Sequence, residues 1–197
     1  MRGLSRIIVS SVLVVATALT SVAPIAGQEA GERAPTVTAL GDAAALGAPE
    51  SVDLDSPIVA MAATPSGDGY WMATRSGAVH AFGVTGIGGT DGGYSVEPIV
   101  GMATTATGDG YWLVSADGGV FSFGDATFHG SMGGVALNAP IIGMAATVTG
   151  DGYWLVATDG GIFSFGDAAF AGSTGSLTLN APIVGMAADP DLSLIHI

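Results

Sequence analysis

The 197-residue chain contains no cysteine and no lysine. The first absence excludes disulfides, a thiolate nucleophile and cysteine metal ligands. The second removes the Walker A, Ser-x-x-Lys and Schiff-base chemistries together. Basic residues number four, Arg2, Arg6, Arg33 and Arg75, against 17 acidic ones, for a formal charge of −13. A surface of that sign repels phosphate backbones and anionic headgroups, so nucleic acid and lipid are not expected partners. No Gly-x-Ser-x-Gly elbow occurs. Charged residues make up only 11% of the chain while 49% is hydrophobic, too apolar for disorder, and 32 glycines speak against a helical protein.

What is present begins with a segment that has the order of a secretory signal. Arg2 and Arg6 precede the run from Ile7 to Leu19, and small residues follow from Thr20 to Gly27. The run covers 13 residues, short of the roughly 20 a spanning helix needs. Residues 1–27 are therefore expected to be a signal peptide, 28–39 a linker, and the mature chain exported and free of the membrane. Pro24 disfavours a cut after Ala26 and leaves Gly27 as the expected boundary.

Beyond it the chain repeats. Tyr70-Trp71, Tyr111-Trp112 and Tyr153-Trp154 are spaced by 41 and 42 residues, and Pro57, Pro98, Pro140 and Pro182 by 41, 42 and 42. Residues 98–139 and 140–181 match at 30 of 42 positions. The repeats are thus 57–97, 98–139 and 140–181, with a fourth beginning at 182–190. In the first, Arg75-Ser76 replaces Ala116-Asp117, His80 replaces Phe121, and one residue is missing after Gly83. Residues 40–56 align without gaps on the end of a repeat and are expected to be the outer strand of a blade.

Within a repeat, Ile141 to Thr147, Tyr153 to Ala157 and Gly161 to Phe165 read as strands, with a weaker fourth over Ala169 to Ser173. Asp151-Gly152 and Asp159-Gly160 are expected to supply positive-φ turns that join the first three as a meander. First strands carry small residues (Gly101, Ala103, Gly143, Ala145) and second strands the aromatics. That gradient suits radially arranged sheets crowded at their inner strands, each sandwiched between neighbours. The expected fold class is all-β: a β-propeller-like array of four-stranded antiparallel blades, about three full blades plus partial ones, an incomplete ring. A β-solenoid is the competitor, but a period of about 40 residues is long for one coil. Where the fourth repeat should bring Gly-Tyr-Trp, the chain instead runs Asp191 to Ile197, read as an aberrant tail of a truncated frame.

The units Gly-Asp-Gly-Tyr-Trp-Leu-Val, Asp-Gly-Gly-Val-Phe-Ser-Phe-Gly-Asp-Ala and Leu-Asn-Ala-Pro-Ile-Val-Gly-Met-Ala resemble repeats of secreted actinobacterial proteins. The resemblance covers Leu40 to about Ala188 and implies propeller-like blades that often accompany peptidoglycan hydrolases, peptidases or other exported enzymes. Ser115-Ala116-Asp117-Gly118-Gly119 is also similar to the Asp-box of sialidase-like propellers, but Ser122 stands where that box carries an aromatic.

No catalytic, cofactor or metal residue is assigned, and the ligand-binding residues are unknown from sequence. Asp68, Asp109, Asp151, Asp117, Asp159, Asp42, Asp125 and Asp167 recur beside glycine as turn formers, since calcium loops converge several oxygens in one loop. The Tyr-Trp pairs are expected to pack between blades, with stacking on sugar rings as the alternative use. His80, His129 and His196 sit at non-equivalent positions and form no ligand set. Among Asp42, Glu50, Asp53, Asp55, Asp91 and Glu97 nothing selects a glycosidase pair. The leading expectation is a secreted, non-catalytic module that presents loops to a cell-wall polysaccharide or a protein partner. The rivals are an N-terminal fragment of an exported hydrolase whose catalytic domain is missing and a propeller enzyme; function is expected where the copies differ, in Arg75 to Tyr94, or in what the truncated frame has cut away.

Overall fold

A computed structural model describes residues 45–47, 56–90, 97–188 and 195–196. The expected signal peptide, the linker and most of the segment 40–56 lie outside these residues. The described residues are all-β: no helix occurs among them, and so none long and apolar enough to cross a membrane.

Three antiparallel three-stranded sheets follow one another along the chain. The first comprises β1 (Ile58–Ala63), β2 (Tyr70–Thr74) and β3 (Val79–Phe82); the second β4 (Ile99–Thr104), β5 (Gly110–Ser115) and β6 (Val120–Gly124); the third β7 (Ile141–Ala146), β8 (Gly152–Ala157) and β9 (Ile162–Gly166). Each is a meander with the Tyr-Trp strand in the middle, as the alternation of branched runs and glycine turns predicts. A short pair, β10 (Ala187–Ala188) and β11 (Ile195–His196), comes after. The same register shift recurs in every first strand, between Ile58 and Ala60, Ile99 and Gly101, and Ile141 and Gly143. A one-residue bulge repeated at one place belongs to the unit's design and increases its twist.

The turn chemistry differs from expectation at one of its two positions. Gly160 takes a positive φ of 81°, but in the preceding turn the left-handed residue is Gly150, at 78°, and Gly152 is not in that region. Gly152 is required for room: a Cβ there would stand 2.5 Å from the Phe165 carbonyl oxygen and 2.7 Å from the Ala168 nitrogen. The glycine before the aspartate turns the chain, and the one after it lets β8 lie against the exit of β9.

The core lies between the sheets. Trp71 and Ala73 of the first sheet bury against Ile99, Met102, Tyr111 and Leu113 of the second. Trp112, Val114 and Val120 of the second bury against Ile141, Met144, Tyr153 and Leu155 of the third. Both faces of β5 are therefore apolar because each is covered by a different neighbouring sheet. β4 runs beside both β1 and β7. A Cβ on Gly101 would come within 3.0 Å of the Gly143 Cα, which explains the small residues of the first strands.

The expected fourth strand is absent: residues 169–173 join no ladder. Their polar groups are used otherwise. The Ala169 carbonyl accepts the Trp154 indole N–H at 2.8 Å, and the Ser173 hydroxyl and Thr174 amide donate to the Gly160 carbonyl. These bonds anchor the segment at its two ends outside any ladder.

Candidate functional site

The recurrent aspartates divide into three sets. Asp117 Oδ1 accepts the Gly119 amide at 3.0 Å and Asp159 Oδ1 the Gly161 amide at 2.9 Å, local bonds of the tight turn. In the Asp-box-like stretch the Ser115 hydroxyl also donates to Asp117. Asp125 and Asp167 act over longer range. Thr105 and Thr107 donate to Asp125, and Thr147 and Thr149 to Asp167 at 2.9 and 2.6 Å. Each carboxylate ties the loop entering the middle strand to the exit of the third strand. The Thr149 hydroxyl is the main cause holding the Asp167 carboxyl below its ordinary range; slight desolvation opposes it, and Thr147 and the electrostatic influence of His129 add to it. Asp68, Asp109 and Asp151 are exposed. Asp42 lies outside the described residues.

The tyrosines and tryptophans are structural. Trp71 and Tyr111 centroids stand 5.3 Å apart, and Trp112 and Tyr153 5.6 Å, so the tryptophans of the first two units each meet the tyrosine of the next. The Tyr70, Tyr111 and Tyr153 hydroxyls donate to the Gly47, Gly88 and Gly130 carbonyls of the preceding unit. The indole N–H groups of Trp71, Trp112 and Trp154 donate to Thr85, Thr127 and Ala169 of their own. Burial pushes the Tyr70 and Tyr153 phenols up. These rings are not open to a sugar.

His80 lies opposite Met72 in the ladder. His129 rests 5.7 Å from the Tyr153 ring and 6.4 Å from Trp112. The His196 backbone is in β11. Among the described residues no three His, Asp or Glu side chains gather as a metal set. Of the carboxylates weighed as a glycosidase pair, only Glu97 is described, and it is exposed; Asp42, Glu50, Asp53, Asp55 and Asp91 fall outside, as do Asp91 to Tyr94 of the drifted stretch.

A groove of about 430 Å³ crosses the ends of β1, β4 and β7 between Pro65, Thr105 and Val148. Alanines and threonines line it, and no charged side chain does. Its hydroxyls are those of Thr104, Thr105 and Thr147, of which Thr105 and Thr147 donate to Asp125 and Asp167.

The outer segments carry the feature that the fold leaves unused. Phe128 is 57% exposed and Phe170, its counterpart 42 residues on, 62%. Val135 and Leu177, also counterparts, are exposed too. The Phe128 backbone is pinned on both sides: Thr127 O takes the Trp112 indole N–H at 2.8 Å, the His129 amide donates to the Tyr153 hydroxyl at 3.1 Å, and Gly130 O accepts from that hydroxyl at 2.6 Å. Phe170 follows Ala169, which is held in the same way by Trp154. Gly86 stands at this position in the first unit, next to Thr85, which Trp71 holds. The reading from sequence missed these two phenylalanines because an aromatic in a weak strand reads as packing; their recurrence after Gly-Asp-Ala was the available signal.

No protein-family model matches the chain, and no curated protein matches it.

Proposed function

We propose that this chain is an exported repeat module that binds a cell-envelope polysaccharide through the rings of Phe128 and Phe170. The carrying observation is an exposed aromatic at the same place in two successive units, on a backbone held in both by a buried Trp side chain and at Phe128 by Tyr153 as well. A ring kept in water on a fixed support is preorganised for contact, because little conformational freedom remains to be lost on binding. The second and third units supply one ring each, which suits a ligand that repeats. The charge of −13 directs the reading toward a neutral or cationic polymer and away from nucleic acid. On this reading residues 1–27 direct export, and the three sheets are propeller-like blades packed through their first strands.

The test is retention of the purified chain on insoluble peptidoglycan and on immobilised neutral polysaccharides. Phe128→Ser and Phe170→Ser should each weaken retention about tenfold, the scale of losing one buried aromatic contact, with the circular dichroism unchanged. Equal retention of the double variant, or no retention of the parent on any polymer, overturns the assignment.

A further inference from the structure

The two joints between sheets are built alike, and their pattern continues past the third sheet. The first strand of a unit enters on a backbone bond to the preceding unit's turn: Ile99 N–H to Arg75 O at 3.0 Å and Ile141 N–H to Ala116 O at 2.9 Å. Ile183 N–H makes the same bond to Thr158 O at 2.9 Å. Ile183, Met186 and Ala188 then pack on the cluster of Trp154 and Val156. The segment from Pro182 thus stands to the third sheet as β4 stands to the first and β7 to the second.

The difference is in pairing. β4 and β7 pair over their length with a Tyr-Trp strand. In the later segment only Ala187 and Ala188 are paired, with His196 and Ile195. Residues 182–186 join no ladder among the described residues, and Val184 is 91% exposed where its counterparts Val100 and Ile142 are half-buried. An unpaired apolar edge is a template for strand addition.

We infer that Pro182 to Ala188 is a docking edge for an antiparallel strand of the Gly-Tyr-Trp-Leu-Val type carried by β5 and β8. The earlier joints dictate the register. Ala146 lies opposite Tyr153 and Ala145 opposite Trp154, as Ala63 lies opposite Tyr70 and Ala62 opposite Trp71. The incoming tyrosine therefore lies opposite Ala188 and its tryptophan opposite Ala187, the two positions that β11 occupies and must yield. The tyrosine ring meets Trp154 as Tyr153 meets Trp112, and its hydroxyl donates to the Gly172 carbonyl as Tyr153 does to Gly130. Neither the edge nor the Tyr-Trp-Leu-Val core of the incoming strand is charged, so apolar burial and backbone bonds carry the affinity.

The experiment titrates the full chain into a fluorescent peptide with the sequence of residues 150–166 and reads anisotropy, together with amide exchange of residues 183–188. Saturable binding with new protection of those amides is expected. Replacing the peptide tyrosine by phenylalanine should weaken it about fivefold, through the one lost hydrogen bond. The variant Gly185→Pro with Met186→Pro should abolish binding, because one of two successive amides in a strand must face the edge. No saturable binding, binding that survives the two prolines, or equal binding of a scrambled peptide overturns the inference. The Phe128 and Phe170 variants should bind the peptide normally, so the edge and the polysaccharide reading fail or stand separately.

Discussion

At the scale of the residue, each unit uses one tyrosine and one tryptophan as two-sided fasteners. Their rings fill the space between sheets while their polar ends take carbonyls of segments that lack a ladder partner. The Tyr153 hydroxyl both donates to Gly130 and accepts from the His129 amide. Tyr153→Phe should therefore cost about 1 kcal/mol or slightly more, seen as a lower urea midpoint with unchanged slope. Glycines separate in the same assay. Gly152→Ala forces a methyl against the Phe165 carbonyl and should cost about 3 kcal/mol. Gly185→Ala, where a Cβ meets nothing within 4 Å, should stay within about 0.5 kcal/mol.

At the scale of the element, the three strands of a unit were legible in the composition of short runs and in the Gly-rich turns between them. Ile141 to Thr147, Tyr153 to Ala157 and Gly161 to Phe165 each overlap a strand, with ends shifted by a residue. The fourth was misread because Phe170 in a small-residue run looks like a strand, whereas that run is anchored at its ends by the Trp154 indole on the Ala169 carbonyl and by the Ser173 hydroxyl on the Gly160 carbonyl. The threonine–aspartate clamp also escaped the sequence reading, since its partners lie 18 and 20 residues apart. It carries a pH signature. The folded-state value of Asp167 is lowered, so its contribution is present above the unfolded value of about 3.9 and is lost as pH falls through the folded one. Asp167→Asn should be less stable than the parent at neutral pH, and thermal melts at successive pH values should show the gap closing below about pH 4.

At the scale of the whole molecule, stability is a sum over joints, because each sheet finds its core on its neighbours. Trp112 is fully buried at the joint between the second and third sheets. Trp112→Ala should cost about 3–5 kcal/mol, and amide exchange should rise in β5 and β8 together before it rises in β2. A loss confined to β5 would mean that the joint does not couple the units.

The sequence by itself determined the period, the class of secondary structure and the meander, because these rest on local propensity and on exact recurrence. Charge and missing residue types also limited the chemistry. Only the tertiary structure decided which aromatics are spent on packing and which face water. Trp112 recurs in all three units and Phe128 in two of them, yet one lies between two sheets and the other on a segment that no sheet covers. Burial here depends on the neighbouring unit, some 42 residues away, and no local pattern encodes that distance.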